Sequence, residues 1–574
     1  MTLTSPIVMR LAAPAAVVLL SCAVPFQAQV TVVPPTPQIG SSNPVTAESR
    51  ISRPHTTPCV VPLFHDLAFA DFTPKTFSYA PPSGCPSPWA KVVFTADFTV
   101  SAGRQFDRTA AFYLGHANIY YGTTAEPRKT LSPSWHVERD ETDLTAIFKS
   151  AQTGEANIGN FVGISNGVTY NGVIYANAAL EFYPAGDDAS APRTADIVVP
   201  INGSGNDAGT LNTTSDTISQ SLNLPENVER AYLDVIAQSQ SNDEFWYFCV
   251  PDDQTANLES CGNTAFRETE VWIDGQPAGV APVYPWIYTG GIDPYLWEPI
   301  PGVQTLNFRP YRVDLTPFAG VLSDGGTHSV AVSVYNANSY FLATANLLVY
   351  QDHGRSKVTG AVTENTLTMG PVPTVSEDIN TAAGPTYTGS VIVGSRRNFQ
   401  ISGYVITSHG RVETTLRQTV DFLSKQTFDV SSTTDEQNAQ QSTKVDSLTI
   451  VRGGPDTGVK EQHFSYPLTI DYLFNVSPDG SFMQTVTSDQ QDLVREAGIG
   501  FRGFSFTDET NRVHATDTLN WDTNGNLLGP TGSKTTQTYR RRTSQGGCYE
   551  RTLTAVAQAL TSVEQSQACS EQNH

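Results

Sequence analysis

The sequence predicts an all-β protein: two tandem jelly-roll or β-sandwich domains followed by a β-rich C-terminal domain. Three observations carry this. Aromatic residues are 10% of the 574 residues and charged residues only 16%, with 43 Gly and 37 Pro, a mixture that favours strands and turns over long helices. Short alternating apolar segments recur between Gly, Pro and Asn clusters. Helical spacing of apolar residues is confined to 143–152, where Leu144, Ile147 and Phe148 fall on one face.

Residues 1–28 read as a signal peptide, with an alanine-rich apolar run behind Arg10 and cleavage near Ala23 or Ala28. Leu19-Leu20-Ser21-Cys22 also resembles a lipoprotein cleavage box, which would leave a lipid anchor at Cys22. The run is too short to span a bilayer, and no later stretch approaches the ~20 apolar residues of a membrane helix, so no transmembrane span is expected. The protein is expected to be secreted or periplasmic, or anchored through Cys22. Residues 29–58, rich in Pro and Thr, form a leader. Residues 59–200 make the first sandwich, with strands at 90–98 and 110–114 and tight turns at Asn166-Gly167 and Asn171-Gly172. A Gly/Asn/Thr/Ser-rich stretch, 202–221, then marks a boundary. Residues 222–352 make the second sandwich, with period-two strands at 231–237, 270–274 and 330–335. Residues 353–574 form the β-rich C-terminal domain, where 389–393 and 468–475 read as strands.

Apart from Cys22 there are six cysteines in three sequence-local pairs, predicting the disulfides Cys59–Cys85, Cys249–Cys261 and Cys548–Cys569 in an oxidising compartment. No C-x-x-C or H-E-x-x-H occurs and the ten histidines are scattered, so neither a metal nor another cofactor is expected. The net charge of −22 would repel a phosphate backbone, which argues against nucleic acid as a partner. A monomer is expected.

Gly163-Ile164-Ser165-Asn166-Gly167 spells a nucleophile elbow, but a hairpin signal follows it where the elbow needs a helix, so it reads as a turn. Asp107-Arg108, at the start of the strand that runs through Tyr113, places a guanidinium beside a carboxylate. Arg108 would hold Asp107 ionised and aim it at a cleft, as a water-activating base requires; the plainer reading is a surface salt bridge. The segment 241–247 brings Asn242, Asp243, Glu244 and three aromatics together ahead of the Cys249–Cys261 loop, with Arg267 and Glu268 beyond it. Flat rings and acids are the ingredients of a sugar site, and equally of a calcium loop or an aromatic core with solvated acids. A third stretch, 284–297, carries large rings, ending on Trp297, around the turn signals Gly290-Gly291 and Asp293-Pro294.

Taken together, Phe106-Asp107-Arg108-Thr109, Thr124-Ala125-Glu126-Pro127, Asn242-Asp243-Glu244-Phe245-Trp246-Tyr247, Phe266-Arg267-Glu268, the 287–294 run with Trp297, and Leu315-Thr316-Pro317-Phe318 resemble the plant-type, acid-active peptide-N4-(N-acetyl-β-glucosaminyl)asparagine amidases over roughly residues 59 to 352. The resemblance implies hydrolysis of the Asn–GlcNAc amide bond of N-glycosylated peptides and proteins, releasing the glycan as a glycosylamine and converting Asn to Asp. It further implies two jelly rolls with the site at their interface. Asp107 would then activate the water, and Glu244, or Asp243 or Glu268 in its place, would be the second catalytic acid. Arg108, Asn242, Asp243, Trp246, Arg267, Glu268 and Trp297 would bind substrate, with Trp246 and Trp297 stacking on the sugar rings. A noncatalytic glycan-binding sandwich and an endoglycosidase are the competing functions.

Overall fold

The computed structural model describes residues 36–186, 189–203, 207–382, 384–500, 503–567 and 569; the expected signal segment 1–28, with Cys22, lies outside them. Among the described residues no helix is long and apolar enough to cross a membrane. The chain is built almost wholly of antiparallel strands. In the first sandwich Cys59–Phe69, Ile174–Pro184, Trp89–Val100 and Ser134–Asp140 form one four-stranded sheet in that order. Lys75–Tyr79, Gln152–Ile158, Thr109–Leu114 and Ala117–Thr123 form the other. Their inner faces meet in an aromatic core of Phe94, Phe98, Phe112, Tyr120, Trp135 and Phe182. The helical expectation at 143–152 reduces to a turn at Thr142–Leu144 and one at Thr145–Phe148, because Gln152 already begins a strand. Asn166-Gly167 turns a small hairpin, Gly163–Ser165 against Val168–Tyr170, with positive φ at both turn residues. This is the segment that spells the nucleophile elbow. Asn171-Gly172 is no hairpin turn: both its N–H groups donate to the Arg104 carbonyl.

The second sandwich begins earlier than its composition suggests. Ile197–Ile201 pairs with Tyr340–Gln351, and the polar stretch 202–221 contains Gly209–Leu211 and most of Ile218–Leu222, which pair with Tyr340–Gln351 and His328–Tyr335. The two sheets are completed by Val228–Gln240 with Tyr311–Asp314, and by Glu268–Ile273 with Gln276–Pro282. Polar outer-face residues disguised these short strands as a linker.

The two sandwiches meet across Thr109–Leu114 and Ala117–Thr123. Both strands are buried on both faces, which is why 110–114 reads as an unbroken apolar run. Phe112 and Tyr120 point into the first core, whereas Ala111, Tyr113 and Tyr121 belong to the core of the second. Tyr121 donates to Gln238 at 2.7 Å, and Asn118 exchanges hydrogen bonds with Asn346.

From Thr359 onward an eleven-stranded antiparallel sheet wraps the second sandwich. Its long strands, such as Tyr387–Thr407 and Gly410–Val430, have 21 residues each and so run for roughly 70 Å. The inward face alternates apolar residues with Gln, Ser and Thr. The polar members satisfy loop backbone of the second sandwich: Gln490 donates to the Pro285 carbonyl at 2.7 Å and accepts from Val303 N–H at 2.7 Å, and Thr535 donates to the Leu296 carbonyl at 2.6 Å. The leader is clamped as well. Gly40 and Ser41 exchange backbone hydrogen bonds with Leu560, Ala47 N–H donates to Gln537, and Ile51 N–H donates to Glu138. Three disulfides close, Cys59–Cys85, Cys249–Cys261 and Cys548–Cys569.

Candidate active site

The double burial of Thr109–Leu114 fixes where Asp107 lies. Thr109 is held at the interface by Gln240, which donates to its hydroxyl at 3.0 Å, and by Gln238. Asp107, two residues earlier, therefore stands where the two sandwiches part. Its carboxylate accepts the backbone N–H of Gly290, from the aromatic loop of the second sandwich, at 2.9 Å, and its own N–H donates to Glu126 Oε2 at 2.6 Å. Thr289 Oγ1 locks the same loop by donating to the Thr124 carbonyl at 2.7 Å. A Cβ built on Gly290 would lie 2.8 Å from Glu126 Oε2 and 2.9 Å from Asp107 Oδ1. The two carboxyls thus flank one point that glycine leaves free. Gly290→Ala is expected to push one of them aside and lower activity by roughly 10²-fold in a folded enzyme. Turnover alongside a melting curve checks this, and near-normal turnover would show that the carboxyls tolerate displacement.

Burial raises the Asp107 carboxyl above the usual carboxylate range, against the opposing pull of the Gly290 N–H and the Arg108 charge. Burial and then the Asp107 charge push Glu126 up to about 8, and the same two causes push Glu244 up to about 7. Three carboxyls therefore share one partly enclosed field. Asp107 and Glu126 titrate as a pair, retaining a proton at mildly acid pH. Arg108 pulls Asp107 toward its ionised form in the direction its sequence position suggests, but burial outweighs it; the guanidinium itself donates to Gln105 and lies 5.7 Å over the Phe106 ring.

Other expected site residues separate. Glu244 is half-buried within the field of Asp107, and Asn242 is exposed close by on the same loop. Asp243 is fully buried: Oδ1 takes Arg267 Nη2 at 2.7 Å and Nε at 3.1 Å, and Oδ2 takes the N–H groups of Asn338 and Ser339 at 2.9 and 2.7 Å. Arg267 spends its remaining donors on the Thr264 and Phe266 carbonyls. Neither has an atom to offer a sugar. Glu268 binds Arg397 of the large sheet at 2.5 Å. Trp246 is 1% exposed and packs on Tyr247 and Phe422, and Trp297 is 2% exposed with its indole N–H on the Gly291 carbonyl at 2.9 Å. Both rings build the loops and present no face for stacking. Glu126 is the residue that the chemistry of single segments missed; its signal was the ordered run Thr124-Ala125-Glu126-Pro127 alongside Phe106-Asp107-Arg108.

A polar cleft of about 650 Å³ lies between the leader, both sandwiches and the large sheet, lined by groups that include Glu138, Arg309 and Arg312. None of Asp107, Glu126 and Glu244 lines it, and charges within it pair with one another, Glu138 with Arg50 and Arg312 with Asp234.

Residues 44–368 match the family model described as peptide N-acetyl-beta-D-glucosaminyl asparaginase amidase A. The chain is 29% identical over 477 residues to peptide-N4-(N-acetyl-beta-glucosaminyl)asparagine amidase A of Prunus dulcis, covering 79% of this chain and 81% of the relative. Among solved structures, PNGase F, a glycosylasparaginase from Flavobacterium meningosepticum, is 12% identical at a TM-score of 0.34, over 51% of this chain and 96% of that one, a likeness too slight to bear on fold or mechanism.

Proposed function

Because the chain belongs to the peptide N-acetyl-β-D-glucosaminyl asparaginase amidase A family, we infer that it is a peptide N-glycanase that hydrolyses the amide bond between an asparagine side chain and the first N-acetylglucosamine of an N-glycan. The observation that carries the reading to particular residues is the convergence of Asp107 and Glu126 from the first sandwich with Gly290 and Glu244 from the second.

The reaction needs a base for water and an acid for the leaving nitrogen. In the proposed mechanism Asp107, as carboxylate, takes a proton from a water as its oxygen bonds to the amide carbon. Glu126, which keeps its proton to about pH 8, gives it to the nitrogen as the C–N bond breaks, and Asp107 then passes the proton it took to Glu126, whose carboxyl flanks the same point at Gly290. The products are an aspartate side chain and a glycosylamine, which then loses ammonia to water. Glu244 binds hydroxyls of the core sugar. N-glycosylated peptides and proteins are the substrates. Mass spectrometry of a digested glycopeptide tests the activity. The expected result is loss of the whole glycan with a gain of about 1 Da at the former glycosylation site, the mark of Asn becoming Asp. One N-acetylglucosamine left on the peptide would identify an endoglycosidase instead, and unaltered glycopeptide a binding protein.

The buried carboxyls also set a pH dependence of stability. Glu126, Asp293 and Glu141 are raised to about 8 and Glu244 and Glu268 to about 7, each mainly by burial, against about 4.3 for a free glutamate and 3.9 for a free aspartate. The folded protein binds more protons than the unfolded chain, so this contribution is full below about pH 4 and disappears as pH rises to about 8. Glu138, held down to about 2 by His136 and Arg53, works the other way and loses its contribution as pH falls through that value. The melting temperature is expected to be higher at pH 5 than at pH 8.5; calorimetry showing the reverse would contradict the assigned protonation.

A further inference from the structure

The loop that brings Gly290 to Asp107 is held from behind by the wrapping sheet. Its backbone is tightly folded: Gly291 N–H donates to the Tyr288 carbonyl at 2.9 Å, Asp293 N–H donates to the Gly291 carbonyl at 2.7 Å, and Ile292 stands at a φ of 64°. A β-branched residue is rarely found in that left-handed region, so the turn stores strain that its surroundings must oppose. The wrapping sheet supplies the opposition. Gln484 donates to the Ile292 carbonyl at 3.2 Å, Thr535 donates to the Leu296 carbonyl at 2.6 Å, and the Asp293 carboxyl meets that of Asp517 on the strand Gly503–Trp521.

Both aspartates are buried. Asp293 Oδ1 accepts the Tyr295 N–H at 2.9 Å, capping the short turn Pro294–Trp297, and Asp517 Oδ1 accepts the Ser533 hydroxyl. The Oδ2 atom of each is buried with no donor from the protein, while the two carboxyls lie within hydrogen-bond reach of each other. Two carboxylates so placed would repel; one proton between them turns the repulsion into a hydrogen bond. Burial and then the Asp517 charge raise Asp293 to about 8, and burial raises Asp517 as well. The other titratable groups facing the pair are the Tyr295 hydroxyl and Glu298, which adds its negative charge at Asp293 and is itself paired with Arg128 at 2.9 Å. Gly291 and Ile292 alone separate Asp293 from Gly290, so a shift of one is felt at the other.

We propose that Asp517 is a positioning residue for the reaction: a proton that it shares with Asp293 latches the Gly290 loop to the wrapping sheet, and loss of that proton to solvent at alkaline pH frees the loop from Asp107. The role in turnover rests on the glycanase reading; the latch itself is measured without substrate. Hydrogen exchange of the wild-type enzyme, corrected for the intrinsic rate at each pH, is expected to show 288–297 losing protection roughly tenfold between pH 6 and pH 9 while His328–Tyr335 in the second core keeps its own. Asp517→Asn and Asp293→Asn each put an amide donor in place of the shared proton, and in both the loop is expected to hold its protection to pH 9. The alkaline limb of log kcat/KM should fall with a slope of about two in wild type, one proton from Glu126 and one from the latch, and of about one in either variant. A wild-type loop equally protected at both pH values overturns the latch, and so does a loss of protection or a slope of about two that persists in both variants. A latch upheld by exchange in a protein that leaves glycopeptide unaltered at every pH would instead remove the amidase reading.

Discussion

Asp107→Asn is expected to lower glycan release by roughly 10³-fold or more and to leave the protein folded. An asparagine fits the same space, and its carbonyl oxygen can still accept the Gly290 N–H that Asp107 now takes at 2.9 Å, so the interface between the sandwiches keeps its contact. What disappears is the capacity to take a proton from water. The substitution also removes the charge that raises Glu126 and Glu244, so both should titrate lower and the alkaline limb of any residual activity should move down in pH. Single-turnover release followed by mass, with circular dichroism and melting on the same sample, checks both effects. Activity within tenfold of wild type would remove Asp107 from the role.

Asp243→Ala is expected to destabilise the fold by about 3–5 kcal/mol, the range for removing one partner of a buried ion pair. Asp243 and the Arg267 side chain are fully buried, and two backbone N–H groups, of Asn338 and Ser339, lose their acceptor as well. Urea unfolding measures the change. A cost under about 1 kcal/mol, together with weakened glycan binding, would return Asp243 to the sugar site.

The two carboxylates of one tripeptide show what sequence reveals and what it conceals. Asp243 and Glu244 are adjacent acids in an aromatic segment, and composition treats them alike. Their backbone turn sends one inward to Arg267 and leaves the other in the field of Asp107, a difference set by residues 267, 338 and 339 that no local pattern contains. Trp246 and Trp297 misled for a related reason. Large rings beside acids suit a sugar platform, yet Trp246 packs on Phe422 of the wrapping sheet and Trp297 is buried with its indole N–H on the Gly291 carbonyl. Strand periodicity exposed the sandwich cores where strands such as Ile174–Pro184 bury alternate residues. The long C-terminal strands hid their length because their inward face is partly amide and hydroxyl, chosen by irregular loop backbone on the other side.

The clamp on the leader bears on biosynthesis. Gly40 and Ser41 meet Leu560, and Ala47 meets Gln537 across 490 residues of chain, so these contacts can close only after the late strands of the large sheet have been made. A ribosome-bound nascent chain that lacks those strands cannot close these contacts. Polypeptides stopped short of Gln537 should therefore show the region around Ala47 open to protease, and closure should coincide with arrival of the final hairpin.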